Sequence, residues 1–123
     1  MALLVRAFPL RRTVKDLETF AAALRTDRKE EAAEFYRQYG ISHESWHVQQ
    51  TENGTWVIAV TRADEPAVAA PRYAQSSIAF DSWFKAQVRQ LSGLDPDTQP
   101  LGPPTTQVFA WSDPERAGSD LCA

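Results

Sequence analysis

Glu52-Asn53-Gly54 lies between two runs, 42–51 and 55–62, in which apolar and polar residues alternate. Asn-Gly flanked by alternation is the strongest short-range signal for a β-hairpin, so an antiparallel pair is the element the rest of the chain must cover. Register then decides which side chains share a face. A two-residue Asn-Gly turn would pair Glu52 with Thr55, setting Gln49 opposite Ile58 and His47 opposite Val60. A three-residue turn with Gly54 left-handed pairs Thr51 with Thr55 instead. It gathers Trp46, Val48 and Gln50 with Trp56, Ile58 and Val60 on one face, and His43, Ser45, His47 and Gln49 with Val57, Ala59 and Thr61 on the other. One apolar face and one mixed face suit a half-buried sheet better than two scrambled ones, so the three-residue turn is expected.

Around this hairpin the chain supplies its other elements in order. Residues 3–8 form a short apolar run closed by Pro9, a first strand. Thr13 and Asp16 have the spacing of a capping box, and the helix they open carries Leu17, Phe20, Ala21 and Leu24 on one stripe. Ala32, Phe35, Tyr36 and Tyr39 continue that stripe past a charged run, 25–31, that reads as a solvated face; Gly40 ends it. Asp64-Glu65-Pro66 opens a second helical region in which Pro71 predicts a kink or a break. Asp81 reads as a further N-cap, before a stripe of Trp83, Phe84, Val88 and Leu91 that stops near Gly93. A proline-rich loop, 95–104, then leads to a last strand, 106–111. The order β-α-β-β-α-β predicts an α+β fold of ferredoxin-like type, an antiparallel sheet with helices on one face only. The domain is expected over 1–112, with 113–123 a flexible tail.

Composition narrows the function classes. The 123 residues carry a net charge of −3, which argues against a protein that binds nucleic acid by neutralising phosphates. Strand 55–62 also lacks the aromatic signature of RNA-recognition domains. No apolar run reaches the ~18–20 residues of a membrane span, and Arg6 comes too early for a signal peptide. The one cysteine, Cys122, rules out an internal disulfide framework and fits a reducing, cytoplasmic setting. No phosphate-binding glycine loop or G-x-S-x-G nucleophile elbow is present.

His43-Glu44-Ser45-Trp46-His47 matches H-E-x-x-H, the zinc-protease pattern. That chemistry needs a helix, where positions i and i+4 stack on one metal. On a strand the same two backbones are ~13 Å apart, too far for bonds of about 2.0–2.1 Å to a single zinc. The alternation of Trp46 and Val48 favours the strand, and no metal or other cofactor is expected. The histidines remain the foremost polar candidates on the sheet face away from the helices, since imidazole titrates near neutral pH. Trp46, Trp56 and Trp83 are expected between sheet and helices, either as plain core or as a stacking surface for a flat ligand.

Glu34-Phe-Tyr-Arg-Gln-Tyr-Gly40, Glu44-Ser-Trp-His-Val48 with Asn53-Gly54, the Ala63-Asp64 helix start and Ser76-Ser-Ile-Ala-Phe-Asp-Ser-Trp83 together carry a resemblance. The chain resembles small ferredoxin-like domains of the dimeric α+β barrel superfamily, of antibiotic-biosynthesis-monooxygenase-like and stress-responsive type, and most of all an uncharacterised bacterial branch. The resemblance implies a homodimer whose sheets pack by their open faces into a barrel. It also implies a ligand held between sheet and helices; no catalytic residue of those families maps onto this chain. The expectation is a small homodimer binding an apolar or planar molecule or serving as an accessory domain, its cleft lined by Tyr39, Trp46, Trp56 and Trp83, with His43 and His47 on the barrel side. The alternative is a cofactor-independent monooxygenase-like enzyme; a zinc hydrolase ranks third.

Overall fold

The computed structural model describes residues 2–99, 102–103 and 105–116. Its elements are β1 (Ala2–Pro9), α1 (Val14–Arg25), α2 (Lys29–Gln38), β2 (Ile41–Thr51), β3 (Gly54–Ala63), α3 (Pro66–Gln75), α4 (Ala79–Ser92) and a 3-10 turn at Pro114–Arg116. The three strands form one antiparallel sheet in the order β1-β3-β2, and the four helices cover one of its faces.

The hairpin forms, with a register one step from the expected one. Thr51 pairs with Gly54, so Trp46 lies opposite Ala59 and Val48 opposite Val57. The turn residues are Glu52 and Asn53, and Gly54 takes the positive φ of 112°. Thr51 explains the choice: its hydroxyl donates to the Gly54 carbonyl at 2.8 Å and accepts from the Asn53 N–H at 3.1 Å. Because strand side chains alternate, one step exchanges every β3 residue between faces. Val57, Ala59 and Thr61 therefore lie under the helices, and Trp56, Ile58 and Val60 lie with the histidines on the open face.

The helical region 14–38 is two helices. The break falls at Thr26, whose backbone leaves the helical region (φ −123°, ψ −93°) while its N–H still reaches the Ala22 carbonyl at 3.0 Å. The charged run is more than a solvated face, because the Arg28 guanidinium sits 4.1 Å from the centre of the Trp83 ring. The capping box at Thr13 and Asp16 is present, and Gly40 and Gly93 close α2 and α4 with φ of 66° and 71°. Pro71 lies inside α3, which continues through it as one element. Asp81 is not an N-cap: it sits in the first turn of α4, 1% exposed, accepting from the Tyr39 hydroxyl at 2.5 Å and the Ser76 hydroxyl at 2.7 Å.

The last predicted strand, 106–111, is not a strand. Thr105 donates to the Val5 carbonyl on the outer edge of β1, and beyond it the described chain forms no ladder. Val108, Phe109 and Trp111 are 93%, 79% and 71% exposed. A strand here would need a layer to bury those side chains, and no described part of the chain provides one. The predicted tail, 113–123, is described only to Arg116, and Pro100, Leu101 and Pro104 of the proline-rich loop also lie outside the described residues.

The core is aromatic and spans all four helices. Phe35 of α2 stacks on Phe84 of α4 at 4.6 Å and meets Tyr39, Tyr73 and Phe80 edge-on. Phe20 of α1 stacks on Trp46 of β2 at 5.2 Å, tying the helical layer to the sheet.

Candidate functional site

Between the sheet and the helices is a cavity of about 170 Å³. Its sheet side is made by Leu4, Phe8, Val57 and Ala59, and its helix side by Phe20, Phe84, Val88 and Leu91. Leu94, Gln99 and Gly102 complete its lining. Gln99 and Gly102 belong to the segment expected as an extended proline-rich loop, whose described residues 95–99 are tied to the helices. Pro96 is fully buried, and Asp97 accepts from Lys85 at 2.9 Å and from Arg89 at 2.9 Å. Those two cations hold the Asp97 carboxyl below its usual range. Lys85, 4% exposed, also donates to the carbonyls of Ala74 and Ser76, so it clasps the end of α3, α4 and this loop together.

One acidic side chain, Glu44, opens on this apolar space. The alternation of β2 places it beside Trp46, and the register sets it opposite Thr61 of β3. Its carboxyl accepts from the Tyr36 hydroxyl at 2.8 Å and the Trp46 indole N–H at 3.1 Å, both on Oε2, and from the Thr61 hydroxyl at 3.0 Å on Oε1. Burial pushes the Glu44 pKa up, opposed by these three donors. Burial beside Glu44 also pushes Tyr36 and Tyr73 up, which keeps both phenols protonated. A carboxyl placed so can accept a hydrogen bond from a ligand or exchange a proton with it. Arg6 of β1 lines the same cavity and donates to the Val5 carbonyl at 3.3 Å.

The expected site residues divide between two places. Tyr39 and Trp46 line the cavity. Trp83 stands behind Phe20, 5.5 Å away edge-on, and does not reach the space. Trp56, His43 and His47 are on the opposite face of the sheet, where His47 Nε2 is 2.9 Å from the Ser45 hydroxyl. Strand alternation splits the H-E-x-x-H pentapeptide in the same way, its glutamate facing the helices and its histidines facing out. The glutamate cannot serve as base to a metal held by those histidines, and among the described residues no three His, Cys, Asp or Glu side chains are grouped to hold a metal ion. Nor is any described helix long and apolar enough to cross a membrane.

Sequence reasoning missed Tyr36, Thr61 and Asp81 as polar partners, and took Glu44 only as part of the metal motif. The signal for Glu44 was present: it shares strand parity with Trp46, so whatever buries the tryptophan buries the acid. Thr61 and Asp81 gave no such signal, since Thr61 depended on the register and Asp81 on the packing of α2 against α4. Compared with known proteins, the chain matches no family model, no curated protein and no solved structure.

Proposed function

We propose that this is a small-molecule-binding protein whose ligand sits between sheet and helices, in a fold of ferredoxin-like type that pairs as a homodimer through its open sheet face. The observation that carries the reading is the 170 Å³ apolar cavity with a triply hydrogen-bonded, half-buried carboxyl in its wall. Concave apolar sites with a few fixed polar groups are the usual form of ligand pockets, and a carboxyl is costly to bury unless it has a use or full pairing. The homodimer is supported by the resemblance of the sequence and by the open face, where Trp56, Ile58 and Val60 lie in a row beside Val5, with Leu3 43% exposed. A second copy laid on that face would remove the patch from water. The outer edge of β1, where Thr105 meets the Val5 carbonyl, is where a ferredoxin-like order would place a fourth strand.

The alternative is a monooxygenase-like enzyme acting without a cofactor. Glu44 favours it over a histidine-based mechanism, because this acid faces the cavity and the histidines do not. Native mass spectrometry of the freshly purified protein tests the proposal. The expected spectrum has a species at twice the 13.8 kDa chain mass, carrying or accepting one small molecule per chain that is lost on denaturation. A monomer that takes up no small aromatic probe would overturn both parts.

A further inference from the structure

We infer that the cavity takes a neutral phenol, a single aromatic ring with one hydroxyl that donates to Glu44 Oε1. This rests on the reading that the cavity is the ligand site, and adds the chemistry of the ligand. Size comes first. A cavity of about 150 Å³ lined by Leu, Ile and Phe binds benzene, so about 170 Å³ in this open-sided pocket suits one six-membered ring with a small substituent. The walls agree, since Phe20, Phe84, Val57 and Leu91 offer contact area and no hydrogen bonds.

The hydroxyl follows from counting acceptor sites. An ionised carboxylate has about four, two on each oxygen. Tyr36 and Trp46 occupy both on Oε2, and Thr61 occupies one on Oε1. One acceptor site remains on an oxygen of a side chain that lines the cavity. Of the other polar side chains in the lining, the Ser92 hydroxyl donates to the Val88 carbonyl and accepts from the Leu94 N–H, and the Tyr39 hydroxyl donates to Asp81. The Gln99 amide and the Tyr73 hydroxyl line the cavity as well. The vacant acceptor on Oε1 matches a ligand O–H. An anionic ring would meet the Glu44 charge, with Arg6 the cation in the lining that would favour it.

Titration of the full chain with benzene, toluene, phenol and benzoate tests this. Toluene nearly matches phenol in shape but lacks the donor. Phenol is expected to bind about tenfold tighter than toluene, as a hydrogen bond to a charged acceptor would give. In Glu44→Gln that preference should shrink. If the variant fails to fold, the phenol-to-toluene ratio of the unchanged protein decides alone. Equal binding of phenol, toluene and benzene would overturn the role of Glu44 while keeping the cavity as the ligand site. Benzoate binding tightest would overturn it in favour of an anion held by Arg6. Failure of all four to bind would overturn the ligand site itself.

Discussion

The two faces of the sheet differ in how completely the chain answers its own groups. On the helix side Val57 is 1% exposed, the rings of Phe20 and Trp46 stack, and Glu44 has three donors. On the other side Trp56, Ile58 and Val60 are only half-buried, and His47 finds a neighbouring serine on its own strand. Both faces are supplied by one pentapeptide, because a strand sends His43 and His47 one way and Glu44 and Trp46 the other. The difference teaches that the polar group with chemical leverage is the one whose strand parity takes it under the helices. The histidines, in reach of water, have no comparable confinement.

If the helix side is the self-sufficient one, the largest effects of substitution belong there. Phe35→Ala removes the ring on which Phe84 stacks and should cost about 3–5 kcal/mol in urea unfolding, as large-to-small changes at buried aromatics do. Tyr36→Phe removes one donor to the half-buried carboxyl and should cost about 1.5–3 kcal/mol in the same assay. A loss near zero would mean that Glu44 does not need its partners.

The pH dependence sharpens the contrast without mutation. Glu44 has a raised pKa in the folded protein, so the fold favours its protonated form. Its contribution is fully present below the ordinary value of 4.5 and is lost as pH rises from there through the raised folded value. Glu44→Gln should flatten that part of the stability curve. The Tyr39 phenol, pushed up to about 12 by burial and by Asp81, should add a second fall as pH rises from 10. Asp97, held low by Lys85 and Arg89, works the other way: its contribution is lost as pH drops below the ordinary 3.8. The smallest effect belongs to the open face. His47→Ala should change folding stability by no more than about 0.5 kcal/mol, the range of surface substitutions. A loss as large as that of Phe35→Ala would erase the distinction between the faces.

Much of the fold was legible because it is written locally. Thr13 with Asp16, Gly40 and Gly93 are caps whose geometry depends on a few neighbouring residues, and the hairpin follows from alternation around one turn. What failed depended on single positions. The turn, where the Thr51 hydroxyl bonds Gly54, sits one step from the expected register and takes every β3 side chain with it, and the non-helical backbone at Thr26 divides one helical stripe into two helices. The segment 106–111 has the composition of a strand, yet pairing requires a neighbour and a cover that composition cannot supply. Of the site, Tyr39 and Trp46 were found by their aromatic spacing. Trp56 was misplaced by the register, and the pair of Glu44 and Thr61 depended on the same step.

The indole N–H resonances of the four tryptophans test the central claim most directly, that the ligand site lies on the helix side of the sheet. Trp46 donates to Glu44 and lines the cavity, whereas Trp56 faces the open side. Titrating benzene into labelled protein should shift the Trp46 signal and leave the Trp56 signal in place. A shift of Trp56 with Trp46 unmoved would contradict the account and put the ligand on the other face.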